Sequence, residues 1–265
     1  MRIELHLHTT WSHDGQVKYS GLVKRCRRLG LAAVAVTDHD TIDGALRFQE
    51  WTKTGIRELQ IMVGEERTLE NGRHVIGLFL KRAIQARVLE EVAAEIHEQG
   101  GLCILPHPFR LRDGVLADPS VRTERVLPLI DAIEVFNPKC SWTENEHARK
   151  AIVERGIPAV GGSDAHYEAD AGEALLEVDM DQDAEQAVRD AVAQKISHRI
   201  IGVPQHDGGK GRSYAASYYR RRGSFRMPTA LVPLARKAYR LYRNTMHGSQ
   251  LPKHEIKFEY EQANR

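Results

Sequence analysis

Short apolar runs rich in β-branched residues alternate, over most of the chain, with longer stretches whose apolar residues recur every three or four places. Ile3–Leu7 reads as a first strand, and a helix is predicted over Tyr19–Leu29, stopped by Gly30. Ala32–Thr37 is apolar throughout, as a fully buried strand would be, and a helix follows from about Ile42 to Lys53. Gln60–Val63 is a third strand, and His74–Leu80 pairs with it or extends it across an Asn71-Gly72 turn. Arg87–Gln99 carries Val88, Val92 and Ile96 at helical spacing and stops at Gly100-Gly101. Leu102–Leu105, Ala132–Phe136 and Ala159–Val160 are further strands, with helices near Glu124–Ile130, Thr143–Glu154 and Asp183–Lys195. Alternation of this kind predicts an α/β protein with a parallel sheet and right-handed crossovers. The number of repeats favours a closed barrel.

The pattern changes near Val203-Pro204. Residues 1–203 read as one barrel domain, and 204–265 as a glycine-rich linker with a basic, helical extension. Within the extension lie a Tyr218–Arg222 cluster and a plausible amphipathic helix over Pro228–Met246. A length of 265 residues with 42% hydrophobic and 28% charged content suits one soluble globular body with a sizeable core. Net charge is +2, but from Gln205 onward thirteen Lys or Arg face four Asp or Glu, about +9, which leaves about −7 on the rest. A basic tail on an acidic body predicts a nucleic acid or another anionic surface as the tail's neighbour. The charged start and the absence of a long apolar run predict neither a leader nor a membrane span. Cys26, Cys103 and Cys140, odd in number and widely spaced, suit buried thiols in a reducing cytoplasm.

Candidate chemistry gathers where the apolar runs end. In Leu5-His-Leu-His, residues two apart on a strand face the same way, so His6 and His8 can share one ion, and the turn beyond returns Asp14. Val34-Ala-Val-Thr is followed by Asp38-His39-Asp40, three ionisable residues where a helix cap would need one. Buried carboxylates are costly unless paired or bound to metal. Gly64-Glu65-Glu66 ends the third strand, with His74 beyond it. His107 between Pro106 and Pro108 is expected in extended backbone. Gly161-Gly-Ser-Asp164-Ala-His166 closes the set. Any one of these is weak evidence. Together they put imidazoles and carboxylates at the end of nearly every strand, where barrel enzymes keep their active sites. His97, His147 and His198 fall on predicted helices and read as structural or exposed.

As a set these motifs resemble the PHP (polymerase and histidinol phosphatase) family of metal-dependent phosphoesterases over about residues 1–203. His6-Leu-His8-Thr is similar to the first family motif, Thr37-Asp-His39-Asp to the second, Pro106-His107-Pro to the third, and Gly162-Ser-Asp164-Ala-His166 to the fourth. The resemblance implies a distorted (β/α)7 barrel with a trinuclear site. His6, His8, Glu66 and Asp164 would bind one ion, and Glu66 would bridge to a second held by His74 and His107. Asp14, His39 and His166 would bind the third. His13 is an alternative to Asp14, and Glu65 to Glu66.

The expected reaction is hydrolysis of a small phosphorylated substrate, a phosphomonoester, by a hydroxide bridging two to three Mn, Fe or Zn ions, with no covalent intermediate. Arg110 is expected to clamp the phosphate, and Asp40 to orient a histidine or protonate the leaving group. Asn137 is expected to line the same rim. The other readings are a phosphodiesterase or exonuclease on short nucleic acids and a non-catalytic docking module. Nucleotide-directed relatives usually carry a long helical insertion, for which the segment between His107 and Asp164 has no room.

Overall fold

The computed structural model describes residues 1–53, 59–179, 183–194, 196–202 and 254–258. Its order is β1 (Arg2–Glu4), α1 (Tyr19–Leu29), β2 (Ala33–Val36), α2 (Asp43–Lys53), β3 (Gln60–Thr68), β4 (His74–Leu78), α3 (Leu89–Glu98), β5 (Leu102–Leu105), α4 (Thr123–Val126) and β6 (Ala132–Phe136). There follow α5 (Trp142–Arg155), β7 (Ala159–Gly161), β8 (Ala174–Val178), α6 (Ala184–Val192), β9 (His198–Gly202) and β10 (His254–Phe258). The strands form one sheet in the order β10-β9-β8-β1-β2-β3-β4-β5-β6-β7.

The sheet curls into a nearly closed barrel of the seven strands β1 to β7. Beyond Glu4 the chain leaves β8, its partner along Arg2 and Ile3, and bridges to the segment after β7, pairing Leu7 with Ala165. The amide of Ala165 donates to His6 O at 3.2 Å and that of His8 to Ala165 O at 2.8 Å, while Thr37 N–H donates to Leu7 O at 2.9 Å. β1 is therefore shorter than the expected Ile3–Leu7, because its far end changes partner to shut the barrel.

The sheet is mixed and not simply parallel: β4 pairs with β3 across the Asn71-Gly72 turn, one of the two expected arrangements, and is antiparallel to β5 as well. β1, β2 and β3 are mutually parallel, as are β5, β6 and β7, but β4 runs antiparallel to both β3 and β5. The Asn71-Gly72 turn causes the reversal: Gly72 has φ of 75°, and its N–H donates to Leu69 O at 2.9 Å. β3 also runs on to Thr68, so Glu66 lies within a strand and not at its end. β8 and β9 form antiparallel strands beside β1. His198 thus sits on β9, not on a helix, and donates from Nε2 to Ala159 O at 3.0 Å.

Two apolar clusters hold the layers. Leu22, Cys26 and Leu29 of α1, Phe48 of α2, Ile96 of α3 and Ile152 of α5 pack with Val34, Val36, Leu105 and Ile133 of the sheet. The other cluster joins Ile3, Ala33, Ala35, Ile76 and Ile104 to Ala187, Val188 and Ala191 of α6. Hydrogen bonds between Gln60 and the start of α6 (to Asp183 Oδ2 and from Ala184 N–H) pin this helix at the beginning of β3. The opposite end of the barrel is left to the loops that carry the histidines. No helix among the described residues is long and apolar enough to cross a membrane. The Tyr218–Arg222 cluster and the expected helix over Pro228–Met246 lie outside the described residues. From the extension, β10 pairs antiparallel with β9.

Candidate metal centre

All nine residues expected to bind metal converge at the loop end of the barrel. His6 and His8 follow β1 in extended chain, and their Nε2 atoms come within 3.1 Å of each other. A different partner sets each ring. His6 Nδ1 is 2.8 Å from Glu134 Oε1. His8 Nδ1 is 3.2 Å from Ser12 Oγ, whose hydroxyl donates to Asp38 Oδ1 at 3.0 Å. Both carboxylates accept, so each ring turns its Nδ1 N–H outward and leaves Nε2 facing the cluster. Asp38 also takes the Thr9 N–H and hydroxyl, stapling the loop after His8 to the end of β2.

Glu66 stands at the centre, and its two oxygens serve two groups. Oε2 lies 3.1 Å from His8 Nε2, 3.4 Å from His6 Nε2 and 3.4 Å from His39 Nδ1. Oε1 lies 3.0 Å from His74 Nδ1 and 3.0 Å from His107 Nε2. Burial would lift this carboxyl, but the charges of His6 and His74 and hydrogen bonds from His107 and His6 outweigh it and hold it well below the ordinary range. Glu65 points elsewhere: its Oε2 accepts the Ile84 N–H at 2.9 Å.

A third group is more open. Asp14 Oδ2 is 3.0 Å from His166 Nε2 and 3.6 Å from His39 Nε2. His166 Nδ1 donates to Asp164 O at 2.9 Å, which again turns Nε2 toward the cluster. The His13 side chain is 78% exposed, so Asp14, and not its neighbour, joins the centre. Burial would raise the Asp14 carboxyl, yet hydrogen bonds from His166 and His39 hold it below its usual range. Burial opposes charge on His39 too, but Asp14 and Glu66 push its pKa up to about 9.

These atoms suit divalent cations. Single ligand atoms from His8, Asp14, His39 and His166, from His6, Glu66 and His107, from His6, His8 and Asp164, and from His39, Glu66 and His74 lie within 4.8 Å of one another in each group. Asp14 Oδ1, His39 Nδ1 and His107 Nδ1 are buried with no hydrogen-bond partner among the described residues, an expensive state unless something else satisfies them. Imidazole and carboxylate donors fit Mn, Fe or Zn.

The two residues expected to act on substrate are both held by other groups of the chain. Arg110 donates to Asp164 Oδ2 at 2.6 Å and to Asp113 Oδ1 and Oδ2 at 2.5 and 3.0 Å, so its fork grips carboxylates. Asp40 Oδ1 accepts from Arg67 Nη1 at 3.0 Å and Thr68 N–H at 2.9 Å, not from an imidazole. The extended backbone expected at His107 is also corrected: its φ is 32°, and Asp164 has φ of 50°. Such left-handed backbone is strained and persists where surroundings over-determine it. For His107 they do, since its N–H is fixed on Glu134 Oε2 at 2.8 Å.

Sequence reasoning missed Glu134, Asp113 and Ser12 as parts of the centre, and singled out Asp38 without assigning it a role. A carboxylate inside the apolar run Ala132-Ile-Glu-Val-Phe136 was the available signal for Glu134, because a buried charge must have a partner. Asn137 does reach the site, donating from Nδ2 to Glu134 Oε2 at 3.0 Å.

Comparison with known proteins agrees with the geometry. The PHP domain model matches residues 4–114, and a PHP-associated model matches 142–195. An uncharacterized protein from Methanocaldococcus jannaschii is 33% identical over 150 residues, covering 52% of this chain and 82% of that protein. A two-domain protein from Bacteroides vulgatus, described as containing a predicted PHP-like metal-dependent phosphoesterase, superposes with a TM-score of 0.60 at 18% identity, over 76% of this chain and 64% of its own. A lesion-specific endonuclease from Pyrococcus furiosus gives 0.60 at 15% identity, over 77% and 60%. Motifs, fold and sequence relatives agree: the chain belongs to the PHP domain family.

Proposed function

We propose that the chain hydrolyses a phosphomonoester at a centre holding two to three divalent ions. The observation that carries this reading is Glu66, a buried carboxylate with His6, His8 and His39 about one oxygen and His74 and His107 about the other. Five imidazoles have little reason to crowd one carboxylate unless cations lie on both sides of it. His6, His8, Glu66 and Asp164 would hold one ion, Glu66, His74 and His107 a second, and Asp14, His39 and His166 a third. When bound, such ions lower the pKa of water and offset charge on phosphoryl oxygens.

The chain's own residues supply placement. Ser12 and Asp38 keep the His8 proton on Nδ1, and Arg110 holds Asp164 against His6 and His8. Asp40, gripped by Arg67 and Thr68, is assigned to the leaving group and not to a histidine. Cys26, Cys103 and Cys140, buried and widely spaced, support a reducing compartment such as the cytoplasm.

The test is elemental analysis of protein expressed with Mn or Zn, followed by turnover of an aryl phosphate. More than one metal equivalent per chain and metal-dependent turnover are expected. Metal-free, inactive protein would overturn the reading. One observation favours diesters of nucleic acid as a second reading: Trp11 and Leu111, on the loops after β1 and β5, and Trp142, at the start of α5, are 46%, 70% and 37% exposed at the end of the barrel that bears the site. Exposed aromatic rings there could stack bases. A panel of monoesters, diesters and short oligonucleotides separates the two.

A further inference from the structure

We propose that Glu134 is the positioning residue that holds two parts of the metal centre in register, acting on His6 through one oxygen and on His107 through the other. The inference rests on the metal-binding reading above. Glu134 lies on β6 at 2% exposure, outside the four motifs quoted above. Its Oε1 is 2.8 Å from His6 Nδ1. Its Oε2 accepts the His107 N–H at 2.8 Å and Asn137 Nδ2 at 3.0 Å. An ionised carboxylate only accepts, so the His6 proton stays on Nδ1 and Nε2 remains free to coordinate. That Nε2 is the atom 3.1 Å from His8 Nε2 and 3.4 Å from Glu66 Oε2.

The second oxygen acts on backbone. His107 adopts φ of 32°, a conformation that needs external support, and Oε2 supplies it at the peptide N–H. A single side chain thereby sets the ring of one histidine, beyond β1, and the main chain of another, beyond β5. The surroundings are shaped to admit it. A Cβ on Gly162 would lie 2.1 Å from Glu134 Oε1 and 2.5 Å from His6 Cβ, so only glycine leaves room for the pair. The ladder between β6 and β7 shifts register between Glu134 and Phe136, beside this contact.

Glu134→Gln keeps the shape but supplies one oxygen and one amide. The oxygen can serve His6 or the His107 N–H, not both. If it serves His107, the amide N–H faces His6 Nδ1 and drives the proton onto Nε2, blocking coordination there. Chelator-stripped wild type and Glu134→Gln are titrated with Zn against a chromophoric competitor, and nitrogen NMR of labelled histidine reports the tautomer of His6. The expected result is a loss of about 10- to 100-fold in the tightest Zn affinity, with Nδ1–H on His6 only in the wild type. Equal affinities in two folded proteins would overturn the inference while leaving the metal reading intact. Should the variant fail to fold, the wild-type spectrum decides: Nε2–H on His6 in the Zn-loaded protein overturns the inference, and Nδ1–H supports it. A wild-type chain that takes up no Zn would overturn the parent reading and this inference with it.

Discussion

Replacing Arg110 by methionine would separate two roles for that residue through stability alone. Its guanidinium, 13% exposed, lies between Asp164 and Asp113, both almost fully buried. Removing one member of a buried ion pair costs about 3–5 kcal/mol, because the remaining charge is left without a counter-charge. Asp113 keeps Arg112, whose Nε is 2.8 Å from its Oδ2, so the low end, about 3 kcal/mol, applies to the metal-free protein. At about 2–4 °C per kcal/mol for a unit of this size, Tm should fall by about 6–12 °C. With metal loaded, the ion itself meets the Asp164 charge. The loss should shrink to about 1 kcal/mol, or about 2–4 °C. Differential scanning fluorimetry of wild type and Arg110→Met, each with chelator and with Mn, measures both differences. Equal falls in the two states would refute the assignment of Arg110 to Asp164. A phosphate clamp would show instead as small thermal shifts together with lost inhibition by inorganic phosphate.

His39→Ala and Asp164→Asn should each abolish turnover of an aryl phosphate while far-ultraviolet circular dichroism stays unchanged; retained turnover would remove them from the centre. Asp40→Asn should leave metal content untouched, since its partners are Arg67 and Thr68, and lower kcat only for substrates with poor leaving groups. Metal loss in that variant would return Asp40 to the histidines. Gly162→Ala should cost about 1–3 kcal/mol by overpacking and lower metal content, as the new methyl meets Glu134 and His6, and calorimetry with elemental analysis checks both. His198 is buried, which lowers its pKa below the ordinary 6.5. Below about that pH the unfolded chain binds a proton that the folded chain refuses. The stability contributed by this neutral histidine is therefore complete above its unfolded pKa and is lost as pH falls through the folded one. Denaturant titrations from pH 7 downward should show a shallower acid loss for His198→Gln than for wild type.

The centre was legible in sequence to the extent that its residues break an apolar pattern. His6, His8, His39, His107 and Asp164 stand out because each follows a run that only burial explains. Asp113 and Ser12 sit in polar loops, where nothing distinguishes them from solvated neighbours, and Glu134 was hidden inside a strand. Arg110 was found, but its role depends on Asp113, three residues on, turning back to meet it. Fold class followed from alternation. The Asn71-Gly72 turn signalled the pairing of β4 with β3, but its antiparallel pairing with β5 and the strands β8 and β9 were not legible, since short strands next to helices give little periodicity and partner choice is a tertiary property.

The bridge between Leu7 and Ala165 gives the site a history during synthesis. Asp164 and His166 belong to the segment that bridge secures, so the pocket has no complete wall until those residues have left the ribosome and met the first strand. An emerging chain can bring Glu66 to His6 and His8, but not Asp164, the second acid that faces them. A complete ligand cluster therefore waits for the moment the barrel shuts.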